Sequence, residues 1–226
     1  MGRFIVVDNI QIEVIRKKGK KNLSLKLNQK TRTPEVSIPY FCPIFIAKSF
    51  VEKHIIWLKK HLQMTPEKRT FSDGMNICLL GQNLIIRCMP NACITHIDGN
   101  QLLVSANKEH IHRRIKDFIK KQAYNYIRSK ADEISKKSGK KIGKITLRDT
   151  SSRWGSCSSS GNLSFCWRLA LAPIFVIDYV IIHEVAHLTH MNHSDDFWKH
   201  LKELGGQTRN AKKWLKENAS YLHSFL

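Results

Sequence analysis

The stretch IFVIDYVIIHEVAHL, beginning at Ile174, is apolar on nearly every side and carries His183-Glu184-x-x-His187 near its end. A helix that is apolar all round belongs inside a protein. Buried imidazoles need partners, and two of them beside a buried glutamate are costly without a cation. The segment therefore demands a core that wraps one helix and leaves its polar end facing a metal ion.

Residues four apart on a helix share a face, with Cβ atoms about 5–6 Å apart. His183 and His187 can thus converge on one ion, at about 2.0–2.1 Å from each nitrogen if the ion is zinc. Glu184 lies one residue round, where its carboxylate reaches a metal-bound water without being a ligand. Coincidence explains little: with 11 histidines in 226 residues, the HExxH pattern arises by chance about 0.02 times.

Two more histidines compete for the third ligand position. His190 lies almost directly above His183 on a straight helix, but roughly 7.5 Å along the axis from the level of such an ion. It would have to reach backwards. His193 follows Asn192, a residue type that tolerates the left-handed conformation at helix ends, and a chain turning there folds His193 back. The reading is a helix from about Pro173 to Met191, with His183, His187 and His193 as ligands. His190 is then a partner or exposed, and His200 falls on the next helix. Three imidazoles and a carboxylate favour one catalytic Zn²⁺, although other divalent metals fit, because structural zinc sites fill all four positions, usually with thiolates. Zinc lowers the pKa of a bound water to about 7, and Glu184 would take that proton and pass it to the leaving group.

Length and composition bound the rest. A chain of 226 residues, 42% of them apolar, buries a real core in one large domain or two small ones. No apolar run approaches the roughly 18–20 residues that span a bilayer. The start, MGRFIVVDNIQIEV, has neither a signal-peptide cleavage site nor a myristoylation serine or threonine, so it reads as a strand in a cytoplasmic protein with no membrane partner. Six cysteines form no CxxC pair, which fits free, mostly buried thiols. The formal net charge of +20 is concentrated in two runs. Arg16 to Arg32 holds eight Lys/Arg and no acid, and Arg113 to Lys144 holds twelve against Asp117, Asp132 and Glu133. Aromatics are not interleaved as in single-strand binders, yet the two runs suit a groove for nucleic acid or a phosphorylated substrate as well as a solvated surface. Oligomeric state is left open.

Along the chain, FIVV, IQIEVI, LSLKL and EVSI read as strands. IAKSFVEKHIIWLKKHL reads as one helix with Ala47, Phe50, Val51, His54, Ile55, Leu58 and Leu62 on one face, stopped by Pro66. NICLLGQNLIIRC is a hairpin about Gly81-Gln82-Asn83, and CITHI and LLVSA flank a turn at Asp98-Gly99-Asn100. A basic helix runs from about His110 to Lys137, and Gly139 and Gly143 punctuate its end. KITLRD and NLSFCWRL are strands around a polar loop, TSSRWGSCSSSG. Ser194 is an N-cap with Asp195 and Asp196 in the first turn, Gly205-Gly206 closes that helix, and a last helix spans about Asn210 to Leu222. The fold class is α+β, a β-rich half followed by a helical half.

The segment SSRWGSCSSSGNLSFCWRLALAPIFVIDYVIIHEVAHLTHMNHSDDFW resembles the signature of the YgjP-like metallopeptidase family, also described as DUF45 or WLM-like M48 metallopeptidases. IRKKGKKNLSLKL and FVEKHIIWLKKHL resemble its N-terminal part more weakly. The residue pattern divides the chain into a β-rich region with one helix over 1–109 and a helical region over 110–226. The resemblance implies that the second is a zincin-like hydrolase domain, with a short sheet beside the HExxH helix. It also implies zinc on His183, His187 and His193, and a catalytic Glu184. Two positions depart from the family pattern: Cys166 replaces the usual Asn, and Val185 the usual Leu.

Other residues carry open readings. Arg153 either stabilises charge on a substrate carbonyl or phosphoryl oxygen or caps carbonyls in a structural turn, and Arg168 has the same ambiguity. Asp178 is a candidate partner for a ligating imidazole. Three functions follow. The first is a zinc-dependent peptidase acting on peptide or protein. The second is a nucleoside triphosphate pyrophosphatase on the same site, suited to the charge but lacking a GxxxxGK[ST] phosphate loop. The third is a nucleic-acid-associated protease of the SprT-like kind, a more distant resemblance.

Overall fold

The structure, a computed structural model, describes residues 3–28, 33–64, 67–89, 94–107 and 109–226. Pro66 as a helix stop, the thiol of Cys93 and the Met1-Gly2 start lie outside the described residues. The fold is α+β and divides into two compact units, Met1–Lys68 and Arg69–Leu226.

In the first unit, β1 (Arg3–Val7) and β2 (Ile10–Lys17) form a hairpin turned by Asp8 and Asn9, both at positive φ (53° and 61°). That is the local twist a two-residue hairpin loop requires. With β3 (Ser24–Leu27) and β4 (Pro34–Pro39) they make a sheet in the order β1-β2-β4-β3. Alternate residues Ile12, Val14, Val36 and Ile38 meet Ala47, Val51 and Leu58 in a small core. The single helix expected over this stretch is two: α1 (Ile44–Lys53) and α2 (Ile55–Met64). The His54 imidazole Nδ1 sits 2.8 Å from the Phe50 carbonyl, and the His54 N–H bonds Val51 instead. A side chain has taken the acceptor that the next helical bond would have used.

In the second unit, β5 (Asn76–Leu79) and β6 (Gln82–Cys88) form a hairpin whose turn is Leu80-Gly81, since Gln82 and Asn83 already pair with Leu79 and Cys78, and β7 (His96–Asp98) and β8 (Gln101–Val104) form the next, in the order β5-β6-β8-β7. Gly81 turns the first at φ 80°, and a Cβ there would lie 2.8 Å from the Ile174 side chain. These strands share one core with everything downstream. The compact units divide at Lys68/Arg69, and the change from strands to helix near residue 109 lies within the second. Two hairpins this short cannot bury both faces unaided. Their apolar residues Leu84, Ile86, Leu102 and Val104 belong to the core that also contains the next helix.

That helix, α3 (Ile111–Ser138), buries Ile111, Ile115, Ile119, Ala123, Ile127, Ala131 and Ile134 along one stripe and ends at Gly139 in the left-handed conformation. Its lysines and arginines occupy the other faces. A three-stranded sheet follows, β9 (Ile145–Arg148), β10 (Gly155–Cys157) and β11 (Leu163–Cys166), ordered β10-β11-β9. The polar loop between KITLRD and NLSFC thus contains an edge strand that periodicity did not reveal, since Gly-Ser-Cys has no apolar alternation. The run WRL after β11 is a 3₁₀ turn, Trp167–Leu171. Then come α4 (Ile174–Ala186), α5 (Asp195–Glu203) and α6 (Thr208–Ser224). Ser194 takes the N-cap position of α5, but its side chain makes no cap hydrogen bond. Among the described residues, no helix is long and apolar enough to cross a membrane.

Ile119 is fully buried at the middle of the α3 stripe. Ile119→Ala should lower unfolding free energy by about 3 kcal/mol, read by urea titration. A loss under about 1 kcal/mol would mean that this stripe does not support the core as described.

Candidate metal centre

Helix α4 is apolar around its circumference, and Val176, Ile177, Val180, Ile181, Ile182, Val185 and Ala186 are all buried. Its last turn holds His183 and Glu184. The helix stops at Ala186, well before the Met191 expected from sequence. Leu188 and Thr189 donate to Val185 and Ala186, bonds of the tighter three-residue kind, while His190 N–H still reaches Ala186. Asn192 is not at positive φ. The turn that redirects the chain is a tightened helix end at 187–190, not a left-handed asparagine.

This turn brings His193 back. His193 Nε2 lies 3.0 Å and His187 Nε2 3.3 Å from His183 Nε2. One ligand atom from each of the three falls within 4.8 Å of the others. The His187 Nδ1 sits 2.9 Å from the His190 carbonyl oxygen, so Nδ1 carries the proton and the Nε2 lone pair faces its neighbours. His190 contributes this carbonyl, and its ring packs edge-on to His200, 5.6 Å away. Neither His190 nor His200 joins the convergent set.

Helix α5 supplies the floor. Phe197, fully buried, stacks on His187 at 4.6 Å and meets His183 and His193 edge-on. Trp198 stacks on His193 at 5.5 Å, and the Lys212 ammonium lies 4.0 Å over that indole. Both aromatics stand in the HSDDFW run, but nothing in their spacing signals that they hold imidazoles. Only the fold of α5 against α4 does.

The strand β10 supplies the lid over Glu184. A Cβ on Gly155 would lie 2.5 Å from Glu184 Oε1 and 2.6 Å from its Cγ. Glycine here is a requirement of close approach. Glu184 is buried, and burial pushes its carboxyl up to about 7, with Arg153 pulling the other way. The Tyr179 hydroxyl is pushed up to about 12 and the Cys157 thiol to about 11, in each case by burial first and the Glu184 charge second. Cys157 therefore stays a protonated thiol and, like Cys166, is not part of the convergent group. Trp154, Gly155, Tyr179, Val180, His183, Glu184, Lys212 and Leu215 line a cavity of about 250 Å³ beside this centre.

The remaining candidates separate. Arg168 is buried and structural: it donates to Asp149 at 2.7 Å and to the Phe225 carbonyl. Asp178 accepts from the Tyr126 hydroxyl at 2.6 Å and makes no hydrogen bond to His183, His187 or His193. Arg153 is exposed, its guanidinium caps no carbonyl among the described residues, and its charge acts on Glu184. Cys166 is buried with its thiol toward the Thr150 carbonyl.

The donor set fits a divalent cation. Burial holds the His183 imidazole down to about 3 and lowers His187 as well, so both are neutral at physiological pH. The His187 lone pair then points into a cluster of ring nitrogens at hydrogen-bonding distance, and a cation is the group that satisfies several such lone pairs at once. Among the described residues, the buried His183 Nδ1 has no hydrogen-bond partner. The model of the YgjP-like family, metallopeptidase domain, matches residues 21–218. The chain belongs to the YgjP-like metallopeptidase family. As a YgjP-like metallopeptidase it is a hydrolase, and the family implies a catalytic metal. A solved structure, the metallopeptidase zymogen of Pyrococcus abyssi abylysin, is 20% identical and covers 42% of this chain and 94% of its own. Its TM-score of 0.37 is too low to bear on the fold. No curated protein matches.

The raised Glu184 carboxyl has a sign that can be tested. Between about 4.5 and 7 the folded, metal-free chain holds a proton that the unfolded chain releases, so this group withdraws stability as pH rises through that window. Metal-free Glu184→Gln should gain about 2 kcal/mol relative to the parent between those pH values, measured by urea unfolding after chelation. Parallel pH profiles for the two proteins would show that Glu184 is not desolvated.

Proposed function

We propose that this YgjP-like chain is a zinc-dependent peptidase in which His183, His187 and His193 hold the ion and Glu184 is the general base. The observation that carries the reading is three imidazoles converging at the end of a buried helix, with a buried carboxylate beside them. Three nitrogen ligands leave a coordination position open, as catalytic zinc requires. Bound there, the ion supplies a Lewis acid that acidifies water and polarises a carbonyl oxygen.

The chain's residues supply the rest. A carboxyl held near 7 by burial exchanges protons at neutral pH. It suits Glu184 to take one from the attacking water and return it to the departing amine. Gly155 presses the carboxylate into place, and His187 is oriented by the His190 carbonyl. Trp154, Tyr179, Val180 and Leu215 give the adjoining cavity walls suited to an apolar side chain next to the scissile bond. Arg153, exposed and with its charge acting on Glu184, is suited to meet charge on the substrate. The net charge of +20 favours anionic ligands in general, which keeps a nucleoside triphosphate as the competing substrate class.

The test compares zinc-loaded protein with Glu184→Gln on casein-like proteins, on nucleoside triphosphates and on protein bound to DNA. Casein cleavage should fall by about 10²–10⁴-fold in the variant with zinc content unchanged. Variant-sensitive release of phosphate or pyrophosphate, without proteolysis, would move the site to phosphoanhydride chemistry. Cleavage confined to DNA-bound protein, with salt-sensitive DNA binding that the variant retains, would favour the SprT-like reading. A second variant addresses the lid: Gly155→Ala should retain zinc and lose about 10²-fold in turnover, because displacing a reacting group by about 1 Å has that effect. Full activity in Gly155→Ala would mean that this contact does not position Glu184.

A further inference from the structure

The three-stranded sheet has two unlike faces. Ile145, Leu163 and Phe165 turn inward and are buried, and Gly155 faces Glu184. On the other face the register aligns three hydroxyls, Thr146 opposite Ser164 and Ser164 opposite Ser156. Lys144 and Arg148 flank Thr146 along the same strand direction, two residues to either side, and so share its face. With Arg153 they line a half-open pocket of about 640 Å³. Among the described residues, neither an acidic residue nor an aromatic ring lines it. Lys144, Arg148 and Arg153 are exposed. The one carboxylate next to them in sequence, Asp149, is already engaged by Arg168 and Lys116.

We infer that this pocket is a subsite for an acidic segment of a peptide substrate, selecting sequences with Asp or Glu beside the scissile bond. The inference rests on the peptidase reading for its substrate, and on the pocket's own chemistry for its specificity. Strand β10 is the edge of the sheet and packs against α4. An extended peptide lying along such an edge sends alternate side chains to opposite faces. One set enters the cavity at Glu184. The other set reaches the hydroxyl row and its cations on the far face. Arg153 links the two, since it lines the pocket and its charge also acts on Glu184. Arginine forks and hydroxyl donors both suit carboxylate oxygens. A nucleotide fits less well, because none of the described lining residues offers a ring to stack a base.

The decisive measurement separates binding from turnover. A fluorescein-labelled glutamate-rich peptide and its glutamine-substituted twin are titrated, by anisotropy, against metal-free protein and against the double variant Lys144→Glu/Arg148→Glu. The acidic peptide should bind about tenfold tighter than its twin at low salt. That preference should vanish in the double variant, while its melting temperature and its affinity for the glutamine peptide stay at parental values. In zinc-loaded protein the same preference should appear in KM, with kcat alike for the two peptides. Equal binding of the two peptides overturns the inference, as does a preference that survives the double substitution. So does displacement of the acidic peptide by a nucleoside triphosphate or a DNA oligonucleotide more effectively than by the unlabelled peptide. Absence of peptide cleavage with the acidic preference intact would instead count against the peptidase reading and leave the anion subsite standing.

Discussion

Removal of water from the last turn of α4 is the condition on which the second unit is organised. An apolar helix carries His183 and Glu184 into a place where neither is well solvated. Desolvation has opposite effects on the two chemistries. It keeps the imidazoles neutral, which a ligand must be, and it raises the carboxyl into the range where proton transfer at neutral pH is easy. One physical cause thus prepares both halves of a candidate hydrolytic centre.

The surrounding elements answer that condition from different directions. Helix α5 places Phe197 and Trp198 beneath the imidazoles, which fixes ring planes without offering competing polar contacts. Strand β10 covers the carboxylate with a residue that has no side chain. The tightened end of α4 delivers both the His190 carbonyl and the returning His193. The same short sheet separates a buried apolar face from a basic, hydroxyl-bearing one, so a substrate along its edge would meet chemistry on one side and charge on the other.

The sequence made some of this legible and hid some. Helix α3, the hairpin at Gly81 and the four strands of the first unit follow from period and turn chemistry, which are local properties. The split at His54 does not, because a side chain captures a backbone acceptor inside an otherwise continuous apolar stripe. The extent of the compact units is hidden for a related reason. A change from strands to helix marks a change of local conformation, whereas a unit is defined by which side chains share a core. Arg168 and Asp178 had the right chemistry for a site and proved to be occupied elsewhere, by Asp149 and Tyr126.

What the sequence determined by itself is the pairing of an apolar helix with two histidines four residues apart and an intervening glutamate, since helical periodicity alone puts them on one buried face. Axial rise favours His193 over His190 as the third member of the convergent set, and the fold brings His193 in by a tightened helix end rather than a left-handed Asn192. Only the tertiary structure decided that bend, the glycine against Glu184, the aromatic floor and the cationic outer face of the sheet. Each depends on distances between segments far apart in the chain, set by packing in a shared core, and no local pattern of residues encodes such a distance.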